Sequence, residues 1–158
     1  MKIARLPLMI TLLVLSAAAR AAGGGGGDSS SPPPADPVVA AAQEANSRKD
    51  FTKSAEILRQ ALARSPGNAG YHNLYAYALR KGPNPDMDEV FKHYKEALRL
   101  DPKHREAYEY LGEAYLMVGD LQKAREQLTQ LDRLCFFGCE EYDDLKKAVA
   151  EYEAKRKP

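Results

Sequence analysis

The chain has 158 residues, 28% of them charged, with 23 Lys and Arg set against 22 Asp and Glu, a formal net charge of +1. A balance this close to neutral excludes the clustered basic field that nucleic-acid binding requires, so DNA or RNA is not an expected partner. Once the segments at the N-terminus are set aside, the remaining ~120 residues suffice for one compact domain and not for two.

Residues 1–21 read as a secretory signal peptide. Lys2 and Arg5 precede an apolar run from Leu6 to Leu15, and Ala19-Arg20-Ala21 fits a small-x-small cleavage site, with the Ala17-Ala18-Ala19 triplet as the competing cut. The apolar stretch is shorter than the ~20 residues of a bilayer-spanning helix, and no cysteine stands beside the cut to carry a lipid. An exported chain without a membrane span is therefore expected, with 20 basic and 22 acidic groups and a net charge of −2 after cleavage. Residues 22–35 hold five consecutive glycines, three serines and three consecutive prolines, and read as a disordered tether.

Residues 36–156 carry helical patterns. Asp36-Pro37 is an N-cap followed by proline at the first helical position, and the first unit turns at Lys49-Asp50. The second unit turns within Lys81-Gly82-Pro83-Asn84-Pro85-Asp86. In the third, Tyr108, Leu111, Tyr115 and Val118 form one stripe and Leu121, Ala124, Leu128 and Leu131 another, with Gly119 as a helix stop and Asp120 as an N-cap between them. The units echo one another. Ala42, Ala76 and Gly112 are small residues spaced by 34 and 36, and Leu58-Ala61-Leu62 before Ser65-Pro66 matches Tyr94-Ala97-Leu98 before Asp101-Pro102. A small side chain at the first set of positions lets two helices cross closely. After Phe136-Phe137-Gly138, Tyr142, Leu145, Val149 and Tyr152 stripe a final helix with acids first and Lys155, Arg156 and Lys157 last, a capping helix oriented to suit its dipole. The expectation is an all-α solenoid of seven helices sharing one apolar interior, with repeats at about 36–68, 69–104 and 105–138 and a capping helix over 139–156.

These residues resemble the tetratricopeptide repeat family, in which the small residue of the first helix, the alanines of the second and a closing proline recur every 34 residues. The third unit matches best. Ser54 and Val90 replace the alanine usual early in the second helix, and Phe136 stands where a closing proline would, which marks the end of the array. The stretch LCFFGCEEYDDLKKAV and the triplet Leu79-Arg80-Lys81 are also similar to proteobacterial periplasmic members of the family, which implies a Gram-negative periplasm and no particular reaction. Fold resemblance of this kind implies binding of a polypeptide rather than catalysis.

Cys135 and Cys139, four apart across a glycine-containing joint, are expected to form a disulfide if the chain reaches an oxidising compartment. A redox-active dithiol and a thiolate copper or zinc site compete with that reading, although the spacing is not C-x-x-C and no histidine is near for zinc. His72, His93 and His104 each stand alone on separate elements and read as surface or packing histidines. No Ser-His-Asp grouping, phosphate loop or HExxH pattern is present, so no enzyme activity, cofactor or metal is expected.

The resemblance implies a concave groove lined by the first helix of each unit: Gln43, Asn46 and Ser47, then Asn73, Tyr77, Arg80 and Lys81, then Glu106, Glu109 and Glu113. The three glutamates recur at three and four on one face and repel one another unless a cation answers them, with Arg80 and Lys81 as candidates. The bland reading is a solvated face. The functional one is a clamp for a basic or zwitterionic peptide, in a periplasmic adaptor or assembly factor. Two rivals are a thiol-redox or metal-handling protein built on Cys135 and Cys139, and a structural solenoid that self-associates through Val38, Val39 and the alanines after them. Monomer or weak self-association is the expected state.

Overall fold

The computed structural model describes residues 36–156; the signal-peptide and tether readings, and Lys157, lie outside them. Every described element is helical: α1 (Pro37–Ser47), α2 (Phe51–Arg64), α3 (Ala69–Lys81), α4 (Met87–Leu100), α5 (Arg105–Met117), α6 (Leu121–Leu134) and α7 (Glu140–Ala154). None of them is long and apolar enough to cross a membrane.

The helix starts follow from side-chain caps that satisfy otherwise orphaned N–H groups. Asp36 accepts from Val38 and Val39, Asp50 from Lys53, Asn68 from Tyr71, Asp86 from Asp88 and Glu89, and Asp120 from Lys123. Ahead of Asp120, Gly119 takes φ +84°; at the same place in the first hairpin Lys49 takes φ 61°, which costs a residue with a Cβ about 1 kcal/mol. In α7 the acids Glu140, Glu141 and Asp143 fill the first turn, but Lys155 is the C-cap and Arg156 lies beyond it, so the expected basic last turn falls just past the helix.

Each helix packs on its successor, and the odd-numbered helices also touch one another (α1 on α3, α3 on α5, α5 on α7), whereas α2, α4 and α6 do not meet. Two layers joined this way curve toward the layer that touches. The inner, concave face therefore belongs to α1, α3, α5 and α7.

Close crossings depend on the small residues of the repeat. Ala42 and Ala76 have no exposed surface, and a Cβ added to Gly112 would lie 2.6 Å from both Cδ atoms of Leu145 in α7. The expected single interior is instead two clusters. Ala42, Leu58, Ala61 and Tyr71 form the first; Ala76, Val90, Tyr94, Leu111, Ala114, Tyr115, Ala124, Leu131, Leu145 and Val149 form the second. In α3 the buried polar residues His72 and Asn73 stand between Tyr71 of one and Ala76 of the other. Val118, expected on the α5 stripe, is exposed because it caps the helix rather than continuing it. Val90 and Ser54 are fully enclosed at the positions where alanine is usual, and the Ser54 hydroxyl has no partner among the described residues.

A disulfide joins Cys135, the C-cap of α6, to Cys139, the N-cap of α7, across a Cα separation of 5.5 Å. It closes a short loop and holds the start of α7 against the third hairpin.

Gly112→Ala tests the α5–α7 crossing. Overpacking costs ~1–3 kcal/mol and the helix preference for alanine returns ~1, so a net loss of about 1 kcal/mol is expected in urea unfolding. In a double-mutant cycle the loss should shrink when Leu145 is also cut to alanine.

Candidate functional site: the inner groove

Three cavities follow one another along the inner face. The first, about 170 Å³, lies between α1, α3 and α5 and is lined by Gln43, Asn46, Leu74, Tyr77, Glu106 and Tyr110. The second, about 240 Å³, lies between α5 and α7 and is lined by Glu106, Glu109, Tyr110, Glu140, Glu141 and Asp144. The third, about 570 Å³, opens where Arg80, Lys81, Glu113, Leu116 and Met117 face Ala148, Glu151, Tyr152 and Lys155 of α7. Another cavity of about 320 Å³ lies between α2 and α3 beside the 82–84 loop, away from all ten residues expected in the groove.

Eight of those ten line the inner cavities, but their chemistry differs from the expectation in three respects. Arg80 is not a free cation. It is 5% exposed, with Nη2 2.7 Å from Glu113 Oε2, Nε donating to the Tyr94 hydroxyl at 3.2 Å, and its guanidinium 5.6 Å from the ring centres of both Tyr77 and Tyr110. Asn73 has no exposed surface and lines none of the three cavities; its Nδ2 donates to Glu106 Oε2 at 3.2 Å while its Oδ1 has no partner among the described residues. Ser47, exposed at the end of α1, turns its hydroxyl to the carbonyl of Glu44 at 2.8 Å.

The three glutamates of α5 are likewise unequal. Glu113 is held by Arg80, Glu106 accepts from Asn73, and Glu109 has neither a cation nor a hydrogen-bond donor among the described residues. Glu109 is only 8% exposed. Burial, followed by the negative charges of Glu113, Asp144, Glu141 and Glu106, pushes its pKa up to about 8.

Tyr77 and Tyr110 stand 5.0 Å apart between ring centres in the first cavity, and Tyr110 also lines the second. Burial raises the Tyr110 hydroxyl well above the usual phenol range, so it stays protonated and able to donate. The α7 residues were not foreseen as groove lining. Read as a cap, α7 in fact supplies one wall of two cavities, and the signal for this was the Glu140, Glu141 and Asp144 set lying off its Leu145–Val149 stripe.

His72 and His93 also correct the sequence reading, which treated them as solitary. Their Nδ1 atoms are 2.7 Å apart, the rings stack at 4.9 Å, and Tyr75 meets His93 edge-on at 4.7 Å. The Pro66 carbonyl 2.9 Å from His72 Nε2 can only accept, so His72 Nε2 donates to it, and the two Nδ1 atoms share one proton between them. Burial and the neighbouring His72 lower the pKa of His93, against the opposing pull of Glu89 3.5 Å from its Nε2, and the contact ties α3 to α4.

The sequence model of the tetratricopeptide repeat family matches residues 84–152. Those residues belong to the tetratricopeptide repeat family. The chain is 32% identical over 101 residues to an inactive tetratricopeptide-repeat-containing thioredoxin, TTL3, of Arabidopsis thaliana, a match covering 63% of this chain and 14% of that protein. Among solved structures it is similar to the Sgt2 tetratricopeptide domain of Aspergillus fumigatus, with TM-score 0.66 and 23% identity over 78% of this chain and 80% of that one. The TPR2B domain of yeast Sti1 in its pHsp70 complex is equally similar in fold, with TM-score 0.66 and 19% identity over 75% and 95% of the two chains. The chain spans about one seventh of the curated relative it matches. The all-α tetratricopeptide solenoid is thus the fold, and it is in general an interaction scaffold rather than a catalytic one.

Two predictions follow from the groove electrostatics. Glu113→Ala leaves the buried Arg80 guanidinium without its carboxylate and should lower stability by roughly 3 kcal/mol in urea unfolding. Glu109 behaves oppositely: its folded pKa lies above the unfolded value, so the stability it contributes is complete below the ordinary carboxylate range and is lost as pH rises toward about 8. Glu109→Gln should therefore melt higher than the parent chain at pH 8.5, with the difference smallest at about pH 4, as read by calorimetry.

Proposed function

We propose that this chain is a non-catalytic binding module that holds an extended polypeptide segment along the inner face of α1, α3, α5 and α7. The observation that carries the reading is the run of three cavities along that single face, with Tyr77 and Tyr110 in the first, Tyr110 again in the second, Tyr152 in the third, and exposed Gln43, Lys81 and Glu106 among their linings. Preformed concavity, rigid aromatic walls and polar edges are what an extended segment needs for backbone and side-chain recognition. The yeast Sti1 domain of the same fold, in its pHsp70 complex, supports the use of such a scaffold for a protein partner.

The compartment we propose is the periplasm, with the chain acting there as an adaptor or assembly factor. The Cys135–Cys139 disulfide, together with the signal-like residues 1–21, supports an oxidising environment. The disulfide sits at a helix joint, where it restrains α7, and this favours a structural role over thiol chemistry.

Gln43 and Lys81 are exposed groove residues whose substitution spares the core. The paired variant Gln43→Arg, Lys81→Glu should reduce capture of the partner from a periplasmic extract by about tenfold, ~1.4 kcal/mol, at an unchanged melting temperature. Arg59→Glu on the outer layer should leave capture intact. Equal capture by all three chains removes the inner face as the binding surface.

A further inference from the structure

We infer that the cavity between α5 and α7 takes a cationic side chain, an arginine guanidinium or lysine ammonium of the bound segment, with Glu109 at its base. The inference deepens the groove reading and rests on it.

The chemistry of the lining is one-sided. Glu106, Glu109 and Tyr110 come from α5 and Glu140, Glu141 and Asp144 from α7, so five of the six side chains are carboxylates around about 240 Å³. Two cations of the inner helices are already engaged: Arg80 faces Glu113 at 2.7 Å and Arg105 reaches Glu141 at 3.4 Å. Glu109, Glu140 and Asp144 have no cation and no N–H donor among the described residues.

Glu109 turns an acidic cluster into a site. Its side chain is nine-tenths buried, lines the cavity and is unpartnered. A buried carboxylate without a partner is costly, and it escapes the cost either by holding a proton or by meeting a cation. The repeat shows that this position is inward in each hairpin and that a carboxylate there is not required by the fold. Val39, Asn73 and Glu109 each stand three residues before the crossing residues Ala42, Ala76 and Gly112, so an apolar side chain serves at this position in the first hairpin.

The spacing of the acids suits an organic cation rather than a metal ion. Among the described residues the one trio gathered within 4.8 Å is Cys135, Cys139 and Glu141, and its two sulfurs are spent on each other in the disulfide. A guanidinium or ammonium, by contrast, distributes several N–H donors over acceptors that are farther apart and can rest on the face of Tyr110.

The charged groups acting on Glu109 are Glu113 and Glu106 of α5 and Asp144 and Glu141 of α7, with Glu140 of α7 lining the same cavity. With its pKa at about 8, Glu109 is largely protonated at pH 7 in the empty groove. An entering cation replaces that proton. Binding should release nearly one proton at pH 7 and none at pH 9.5, and affinity should rise with pH up to about 8.

The test uses the full chain and three acetylated, amidated alanine pentapeptides whose central residue is arginine, citrulline or glutamate, titrated calorimetrically in two buffers of different ionisation enthalpy. The arginine peptide is expected to bind at least about tenfold more tightly than the other two, with proton release at pH 7. In Glu109→Gln the preference should fall severalfold and the proton release should vanish. The proposal is overturned if arginine and citrulline peptides bind alike, if the glutamate peptide binds best, if the arginine peptide shows no binding at millimolar concentration, or if Glu109→Gln behaves as the parent chain. Should any of these occur while the Gln43→Arg, Lys81→Glu variant still loses its partner, the cation site falls and the groove stands.

Discussion

The inner face depends on how one buried charge is answered. Arg80 cannot shed its proton, so a guanidinium enclosed between α3, α4 and α5 must find an anion, hydrogen-bond acceptors or aromatic faces at the spot. It finds Glu113, the Tyr94 hydroxyl and the rings of Tyr77 and Tyr110. A buried ion pair is weak evidence for net stability, since desolvation offsets most of the Coulomb attraction. Its geometric effect is firmer: it fixes the two tyrosines that wall the groove, and it draws Glu113 toward α3 so that Glu109 is left without an answer.

Charges on the outer layer follow a different rule. Glu56 with Arg59, Glu89 with Lys92 and Glu96 with Arg99 are neighbours on their own helices, three residues apart, and each partner is substantially exposed. Such pairs are worth roughly 0–1 kcal/mol and mainly keep that surface soluble. Between the inner helices two contacts are long-range, Arg80 to Glu113 and Asn73 to Glu106, and they register one hairpin against the next. The two hydrophobic clusters meet along α3, and these polar contacts bridge the same helix to α5. Stacking is thus shared between apolar crossings at Ala42, Ala76 and Gly112 and a polar seam beside them.

The helices were legible because their ends are spelled out chemically: Asp36, Asp50, Asp86 and Asp120 cap, and Gly119 stops. The small residues at 42, 76 and 112 gave the stacking order for the same reason, since only Ala or Gly fits the crossing. What escaped was whatever depends on two units at once. Arg80 reads as a surface cation until Tyr94 and Glu113 are brought beside it. His72 and His93 read as solitary because they are 21 apart, yet the register held the clue: His72 lies four before Ala76, His93 four before Ala97, and the corresponding residues of the first hairpin, Val38 and Ile57, pack against one cluster. Reading polar residues by repeat position rather than by neighbours in sequence would have paired them. The glutamates of α5 were seen as a set; that one of them is buried was not, because periodicity gives the face of a helix but not its depth.

The position of α7 joins the disulfide to the acidic cavity. A helix that merely covered an apolar end would need Leu145 and Val149 inward and would tolerate sliding or fraying of its first turn. Here the first turn carries Glu140 and Glu141, and Cys139, the residue immediately before them, is bonded to the C-cap of α6. Tethering at that point removes freedom where the carboxylates face Glu109, while the Gly112–Leu145 contact fixes the middle of the helix one turn later. The like charges that result repel one another, and a fold shaped by stability alone would spread them. Their presence on α5 and α7, which meet in a close crossing while the disulfide pins the start of α7 to the end of α6, is the reason to regard α7 as a working wall of the groove and not only as its end.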